Sequence, residues 1–337
     1  MVRVYADLAA RLPSTSAHWR SAAFRDELWS WVASHVGEPQ SMTPVRDRSW
    51  STVWRIEASD GVFFAKQNTP LQAFEARLLT LLGELAPAYV VPVAAADPDR
   101  DLLLTPDQGP VLGDVLADAG EERLLEAVGR MIGTAARLQR EVAPVAGRLT
   151  DAGLTSLAPS DAPAYVRQRL DEIASLPAGD PRGFEPGRAE ALRAALTVVT
   201  ADADRVAALG LPLTLNHNDL HTFNAFDVDG RMRFFDLGDA LLTEPLGMLL
   251  VPLGGIARHL ETTPEDPRVR ALAEPALEVW SDVVPLDGLR AALPAALRLA
   301  RLARCESWVR CSASMDDDEL AEWGDAAAYW LASVADS

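Results

Sequence analysis

The pattern of apolar residues changes once along the chain, near residue 106, and this change constrains the fold most. Before it, four segments alternate apolar and polar residues as strands do, namely 51–58, 62–67, 89–97 and 101–105. After it, helical spacing dominates, with the clearest long helix at 121–142. The sequence therefore predicts an α+β fold, with a small antiparallel-sheet lobe followed by a larger, mostly helical lobe.

Two helices complete the predicted small lobe. A leading helix is expected at 19–36, and a second helix begins near Pro70, after a hairpin that turns at Asp60-Gly61. We expect an N-terminal lobe at 1–105 and a C-terminal lobe at 106–337. In each helix the apolar residues are expected on one face. They are Phe24, Leu28, Trp31 and Val32 in the first helix, and Phe74, Leu78, Leu81 and Leu82 in the second.

The composition limits the possible partners. The formal net charge is −18, which disfavours nucleic acid and anionic membranes as partners and favours cationic small molecules. No run of apolar residues is long enough to span a bilayer, and the start of the chain lacks the apolar region of a signal peptide. The two cysteines, Cys305 and Cys311, are too few for a disulfide framework. We therefore expect a cytoplasmic protein, either a monomer or a homodimer.

Lysine is almost absent from the chain. Of 31 basic residues, 30 are arginine and one is lysine, Lys66, at the end of the second predicted strand. An arginine can replace lysine wherever only positive charge is needed, whereas a compact ammonium group cannot be replaced by the wider guanidinium fork. Lys66 is therefore a candidate functional residue.

The stretch "NHNDLHTFNAF" at 216–226 holds two of the five histidines. It permits two interpretations. His217, Asp219 and His221 could bind a transition metal, as in a metal-dependent hydrolase. Alternatively, Asp219 could face a substrate hydroxyl and Asn224 could bind magnesium, as in a phosphoryl-transfer loop.

The order of chemical groups favours phosphoryl transfer. The protein-kinase pattern places an asparagine five residues after the catalytic aspartate, and an Asp-x-Gly motif after a further hairpin. Here Asn224 follows Asp219 at that spacing, and Asp236 opens the motif Asp-Leu-Gly after a hairpin that turns at Asp229-Gly230. Lys66 on a strand and Glu75 on the next helix complete the set.

These motifs resemble those of the aminoglycoside phosphotransferase-like family of small-molecule kinases, which includes choline kinase-type enzymes. The family motif is close to HGDLHxxN, which is similar to "HNDLHTFN" here, and its metal motif is similar to "FFDLGDA". The likeness extends over about residues 40–260 and suggests an actinobacterial branch. It implies a two-lobed, protein kinase-like fold with its catalytic loop at 217–224 and its metal motif at 236–239.

The resemblance also implies residue roles. Asp219 would be the catalytic carboxylate, Asn224 and Asp236 the Mg²⁺ ligands, and Lys66, paired with Glu75, the phosphate ligand. Other members of the predicted site are the residues that orient the catalytic loop, His217, His221 and Asp239, and those of the segment that meets the adenine, Leu104, Thr105 and Asp107.

The sequence departs from the family pattern at three places, one of which is the short connection between Lys66 and Glu75, which are only nine residues apart. Asn218 stands where the family often has glycine. The loop expected over the phosphates, 46–53, contains no glycine, so we predict that Ser49, Ser51 and Thr52 bind the phosphates there with their hydroxyl and backbone N–H groups.

An acidic run at 316–325 has two possible roles. Carboxylates at a helix start are stabilised by the helix dipole, so the run could be a solvated helix start. Alternatively, its residues could bind an amine-bearing substrate. The candidates for that role are Asp316, Asp317, Asp318 and Glu322.

We therefore expect an ATP- or GTP-dependent kinase that uses Mg²⁺ and phosphorylates a hydroxyl group of a small molecule. Acceptors handled by the family include aminoglycosides, other amine-bearing antibiotics, amino sugars and metabolites. The alternatives are the metal-dependent hydrolase and a non-catalytic pseudokinase.

Overall fold

The computed structural model describes residues 5–336, and it has the predicted sheet lobe and helical lobe. The first four residues of the predicted N-terminal lobe and Ser337 lie outside the described residues. Among residues 5–336, none of the helices combines the length and the apolar character needed to cross a membrane.

Five antiparallel strands form the sheet of the N-terminal lobe, in the order β1-β2-β3-β5-β4. The strands are β1 Ser41–Asp47, β2 Ser51–Ala58, β3 Gly61–Asn68, β4 Ala95–Asp97 and β5 Leu102–Pro106. The central strand, β3, carries Lys66, whose register partners are Val53 and Leu103. Lys66 therefore extends from the most constrained part of the sheet.

The structure corrects three details of the predicted sheet. The strand expected at 89–97 is reduced to β4, because Pro92 has no N–H group to donate and only Val90 forms a bridge, with Phe234. The β2–β3 turn is one residue earlier than expected, since Ala58 pairs with Gly61. Strand β1 was not predicted; it lies at the sheet edge, where Pro44 is tolerated beside an irregular pairing.

Three helices accompany this sheet, α1 Thr15–Trp19, α2 Ala22–Val36 and α3 Glu75–Leu85. The predicted helix at 19–36 is divided between α1 and α2 because Ser21 caps α2 by accepting a hydrogen bond from the Phe24 N–H at 3.1 Å. The apolar face of α2 covers one side of the sheet and forms the core of this lobe.

Helix α3 packs into the core of the other lobe. Its buried leucines, Leu78, Leu79 and Leu82, belong to the large core that the C-terminal helices share. Phe74, directly before α3, lies so close to Gly153 that a Cβ atom there would be 2.8 Å from the Phe74 Cβ. Glu75, the first residue of α3, is therefore held against the C-terminal lobe.

Helices form most of the C-terminal lobe. They are α4 Leu112–Val115, α5 Glu121–Val142, α6 Ala146–Asp151, α7 Ala162–Ala174, α8 Arg188–Ala207, α9 Leu250–His259, α10 Pro267–Ala271, α11 Glu274–Val279, α12 Leu286–Ser312, α13 Asp317–Trp323 and α14 Ala326–Ala332. The bounds of α5 are those predicted from the sequence. The long helix α12 packs against α8 and α14 and reaches the catalytic loop.

Two short antiparallel ladders carry the functional motifs. They pair β6 Thr214–Asn216 with β9 Leu241–Thr243, and β7 Ala225–Val228 with β8 Arg231–Phe234. The catalytic loop lies between β6 and β7, and the metal motif lies between β8 and β9. The two ladders therefore bring the catalytic loop and the metal motif next to each other, as expected from the hairpin that turns at Asp229-Gly230. Strand β9 was not predicted.

A buried carboxyl group, Glu244, begins the short 3₁₀ turn Pro245–Leu249 that follows β9. Its two oxygens accept hydrogen bonds from the Leu246 N–H at 2.7 Å and the Gly247 N–H at 2.9 Å. Burial nevertheless raises the pKa of the Glu244 carboxyl to about 7. Between about pH 4.5 and pH 7, the folded protein therefore keeps a proton on Glu244 that the unfolded chain has lost.

We expect Glu244 to make stability fall as the pH rises from about 4.5 to 7, because ionisation is less favourable in the folded state than in the unfolded state. Above that window the penalty is constant, on the order of 3 kcal/mol. Urea unfolding at pH 5 and pH 7.5 should show a smaller difference in Glu244→Gln than in the wild type, because glutamine does not titrate. Equal differences in the two proteins would contradict the assignment.

Candidate active site

The catalytic loop begins with a left-handed residue. Asn218 has a φ of 62°, and its N–H group donates to the Asn216 side-chain oxygen at 2.8 Å. Asparagine is one of the few residues that tolerate this conformation, which explains how it can occupy a position where glycine is common. The departure from the family motif therefore leaves the loop backbone intact.

Asp219 extends from this loop beside three polar side chains. Asn224 donates through Nδ2 to the Asp219 carbonyl at 2.9 Å, His221 Nε2 lies 3.3 Å from Oδ2, and Arg304 Nη1 lies 3.2 Å from Oδ1. Burial acts to raise the pKa of the Asp219 carboxyl, but the hydrogen bond from His221 and the charge of Arg304 outweigh it and hold the pKa well below its usual range. The group is therefore an ionised hydrogen-bond acceptor at neutral pH.

The two histidines of the loop make different contacts. His217 is buried, and its Nε2 lies 2.9 Å from the Phe235 carbonyl, so this nitrogen carries the ring proton. Burial lowers the pKa of His217, so its ring is neutral. His221 accepts the Phe223 N–H at Nδ1, 3.1 Å away, and therefore presents a protonated Nε2 to Asp219.

These contacts argue against the hydrolase alternative. The Phe235 carbonyl already occupies one nitrogen of His217, and the other nitrogen is buried. Across residues 5–336, no group of three or more His, Cys, Asp or Glu side chains is placed to hold a metal ion. His221 instead contacts Asp219, and His217 joins the catalytic loop to the residue that follows β8.

Lys66 lies between two carboxylates. Its Nζ is 2.5 Å from Glu75 Oε2 and 2.5 Å from Asp236 Oδ1. Burial acts to lower the pKa of Lys66, but the charges of Asp236 and Glu75 outweigh it and raise the pKa. The ammonium thus joins β3, α3 and the metal motif.

The metal motif packs closely against this ion pair. Asp236 has a φ of 62°, and the next residue, Leu237, donates its N–H to Glu75 Oε1 at 2.7 Å. A Cβ atom on Gly238 would lie 3.2 Å from Asn68 Oδ1 and 3.5 Å from Glu75 Oε2. Glycine at 238 therefore allows the motif to approach Asn68 closely.

Asp239 connects the motif to both lobes. Its carboxylate accepts hydrogen bonds from Gln72 at 2.9 Å, from Arg304 at 3.3 Å and from Ser307. Gln72 precedes α3, whereas Arg304 and Ser307 lie on α12. These three partners are not recognisable from the sequence, because a glutamine, an arginine and a serine on amphipathic segments carry no distinguishing pattern.

The predicted phosphate loop is shorter than expected. Strand pairing extends to Asp47 on one side and resumes at Ser51 on the other, so only residues 48–50 form the turn. Ser49, Ser51 and Thr52 are buried, and Thr52 accepts a hydrogen bond from Trp54 at 3.0 Å. Their predicted contacts with phosphate stay predictions.

Trp50 in this turn contacts the C-terminal lobe. Its ring meets Trp308 of α12 edge-on at 5.2 Å between centroids, and Trp323 of α13 at 5.5 Å. The turn over the expected phosphate position is therefore anchored to the opposite lobe.

The segment expected to meet the adenine lies at the end of β5. The Leu104 carbonyl accepts a hydrogen bond from the Ala94 N–H at 2.8 Å, and the Asp107 N–H donates to the Val62 carbonyl at 2.9 Å. These two groups already have partners in the sheet lobe. A nucleotide contact at Leu104, Thr105 or Asp107 stays a prediction.

The acidic run forms a capped helix start. Asp316 accepts the Glu319 N–H at 2.9 Å, and Glu319 accepts the Asp316 N–H in return at 3.0 Å. Asp317 pairs with Arg11, while Asp318 and Glu322 are exposed. This placement fits a solvated helix start, and the proposed contact with substrate stays a prediction.

A model of a phosphotransferase family matches this sequence. The model described as the phosphotransferase enzyme family matches residues 41–272, more than half of the chain. The chain belongs to this family. No curated protein sequence matches it significantly.

Several solved structures of phosphotransferases share the fold. The choline kinase LicA from Streptococcus pneumoniae has 13% identity and a TM-score of 0.56, over 93% of this chain and 100% of that chain. The ethanolamine kinase of Plasmodium vivax has 11% identity and a TM-score of 0.57, over 90% and 85%. A thermostable mutant of the aminoglycoside phosphotransferase APH(4)-Ia has 13% identity and a TM-score of 0.53, over 92% and 100%. The predicted two-lobed fold and the predicted class of enzyme, a small-molecule phosphotransferase, are confirmed.

The contacts of Lys66 lead to a prediction about its replacement by arginine. The Nζ atom serves two carboxylates at 2.5 Å, and the side chain is only 13% exposed, so a wider guanidinium must displace Glu75 or Asp236. We expect kcat/KM for ATP to fall in Lys66→Arg by about 10²-fold, nearly as far as in Lys66→Met, since a misplacement of about 1 Å has a cost of this size. Circular dichroism should first establish that both variants are folded. Wild-type activity in Lys66→Arg would show that the lysine is not required.

Proposed function

We propose that the protein transfers the γ-phosphoryl group of ATP to a hydroxyl group of a small molecule, with Mg²⁺ bound at Asn224 and Asp236. The observation that carries this proposal is the position of Lys66 between Glu75 and Asp236. The Lys66 Nζ atom lies 2.5 Å from a carboxylate oxygen of each. Asp236 belongs to the metal motif, beside the catalytic loop that carries Asp219. Such an arrangement supplies a cation for the nucleotide phosphates, a metal-binding carboxylate and a separate carboxylate for the acceptor.

Asp219 orients the acceptor in this proposal. The Asp219 side chain is 28% exposed and its carboxylate is ionised, so it can accept a hydrogen bond from a substrate hydroxyl. The hydroxyl oxygen attacks the γ-phosphorus while the bond from that phosphorus to the bridging oxygen breaks, and the hydroxyl proton passes to Asp219. Because a carboxylate is a much weaker base than an alkoxide, the proton moves late, after most of the new P–O bond has formed.

The donors of the proposed metal site fit magnesium. Asn224 donates through Nδ2 to Asp219, which leaves its side-chain oxygen as an acceptor. Asp236 uses Oδ1 for Lys66 and carries a second carboxylate oxygen. Hard oxygen donors of this kind suit Mg²⁺, which when bound neutralises charge on the nucleotide phosphates. Lys66 and Asp236 would bring the nucleotide phosphates and the Mg²⁺ ion together.

The acceptor that fits best is an alcohol that also carries an amine. A net charge of −18 favours the approach of cations over anions. The names of three proteins with this fold specify choline, ethanolamine and an aminoglycoside, all of which are alcohols that carry a positively charged nitrogen, either an amine or a quaternary ammonium. ATP is the proposed donor, and GTP is the alternative donor.

A panel of amine-bearing alcohols and aminoglycosides, assayed for ADP or GDP release, tests the activity. We expect acceptor-dependent turnover in the wild type and a loss of about 10² to 10⁴-fold in Asp219→Asn, because the amide cannot accept the hydroxyl proton. Nucleotide binding should change little in that variant. Near wild-type turnover in Asp219→Asn would remove the residue from the mechanism, and nucleotide binding without turnover on any acceptor would indicate a pseudokinase.

The metal site is tested by calorimetry with ATP, in the presence and absence of Mg²⁺. Asp236→Ala should lose the magnesium-dependent part of the affinity, because the variant lacks the carboxylate ligand. Asn224→Ala should weaken it, because an amide oxygen is the weaker ligand. Unchanged magnesium dependence in both variants would place the metal elsewhere, and tight binding of Zn²⁺ at His217 and His221 would favour the hydrolase.

A further inference from the structure

Arg304, on the long helix α12, contacts the catalytic loop and the metal motif through one nitrogen atom. Its Nη1 lies 2.7 Å from the Asn218 carbonyl, 3.2 Å from Asp219 Oδ1 and 3.3 Å from Asp239 Oδ2. We propose that Arg304 is a positioning residue that holds the Asp219 carboxylate in the orientation that meets the acceptor hydroxyl. This inference rests on the proposed function of Asp219.

The environment of Arg304 restricts its movement. Its side chain is 10% exposed, and its guanidinium carbon lies 5.6 Å from the centroid of the Trp330 ring. A guanidinium held against an aromatic face keeps a defined plane, and its hydrogen bonds to charged acceptors are stronger than neutral ones. Arg304 is therefore a fixed donor that can impose an orientation on its partners.

Asp219 has few other contacts that fix its side chain. The hydrogen bond of Asn224 at 2.9 Å reaches the Asp219 backbone, whereas its distance to the carboxylate is 3.3 Å. His221 also lies 3.3 Å from the carboxylate, and its side chain is 39% exposed. The ion pair with Arg304 is the contact made by a charged and buried group, so its removal should free the carboxylate to rotate.

A second contact joins the loop to the same turn of α12. Asn218 Nδ2 donates to the Ala303 carbonyl at 3.0 Å and to the Asp239 carbonyl at 3.1 Å. A glycine at position 218 would adopt the same left-handed backbone but could make neither hydrogen bond. Asn218 and Arg304 therefore attach the catalytic loop to α12 from both sides, and helix α12 acts as the support of the loop.

Two substitutions at position 304 separate charge from shape. Arg304→Met keeps the apolar stem without the charge, and Arg304→Lys keeps a positive donor. Because all three contacts converge on one nitrogen, a lysine ammonium can replace part of them. The matched control is Arg301→Met on the same helix, since Arg301 donates to the carbonyls of Ser333 and Asp336 and makes no contact with the catalytic loop.

Hydrogen exchange of the free protein tests the positioning without any acceptor. We expect the amides of residues 217–224 to exchange faster in Arg304→Met, to recover partly in Arg304→Lys, and to match the wild type in Arg301→Met. Unchanged exchange of this segment in Arg304→Met overturns the proposal. Equal acceleration in Arg301→Met also overturns it, because the effect would then be a general loss of stability.

Kinetics with ATP and the amine-bearing alcohol that gives the highest turnover test the consequence. We expect kcat to fall by about 10²-fold in Arg304→Met, as a misplaced catalytic group predicts, with KM for ATP and calorimetric affinity for Mg-ATP within about twofold of the wild type. Arg304→Lys should recover part of kcat. A weakened affinity for Mg-ATP with an unchanged kcat would show instead that Arg304 binds the nucleotide, which overturns the proposal.

The two proposals fail in different ways. If the wild type phosphorylates a small-molecule acceptor and Arg304→Met retains its kcat, the role of Arg304 is wrong while the kinase activity stands. If the wild type turns over no acceptor, the proposed function fails, and the exchange of residues 217–224 still decides whether Arg304 holds the loop.

Discussion

The contact of Lys66 with Glu75 and Asp236 determines how the two lobes meet. One ammonium lies 2.5 Å from a carboxylate of α3 and 2.5 Å from a carboxylate of the metal motif. The side chains of Lys66 and Glu75 are only 13% and 2% exposed, and burial penalises an unpaired ion by several kcal/mol, so neither charge would be tolerated there without its partner. Strand β3, helix α3 and the metal motif therefore keep one relative position, and the chemistry of the site depends on it.

The packing of α3 explains why this contact can be maintained. The helix follows the sheet in sequence, yet its buried leucines belong to the core of the C-terminal lobe. Glu75 is consequently held by the larger lobe, and Leu237 donates a hydrogen bond to it at 2.7 Å. Lys66 is the group that the sheet contributes, so the ion pair also connects the sheet to the rest of the protein.

Helix α12 provides a second connection between the lobes. Ser307 and Gln72 donate to the same Asp239 carboxylate from opposite lobes, and Ser314, just after the helix, is hydrogen-bonded to Thr69. Trp308 packs against Trp50 in the turn between β1 and β2. A glycine-free turn is compatible with a site for phosphates if its position is fixed in this way by side chains and not by the backbone alone. The C-terminal helices thus support the site as well as the core.

The sequence by itself determined the two lobes, the order of the chemical groups and their family. Strand alternation and helical periodicity are local properties, and the single lysine and the spacing of Asp219, Asn224 and Asp236 can be read without any contact. Local patterns failed at two prolines. Strand β1 was missed at Pro44, which is tolerated at the sheet edge, and the strand predicted across Pro92 is interrupted there, since proline is unfavourable in a strand except at an edge or a bulge.

The tertiary structure alone decided which side chains contact Asp219. Arg304 is one of 30 arginines and lies 86 residues from Asn218, whose carbonyl it binds. Trp50 and Trp308 are separated by most of the chain, and α3 joins a core that its place in the sequence does not indicate. Such contacts depend on how distant elements pack against one another, and the pattern of a single helix or strand carries no information about its distant partner.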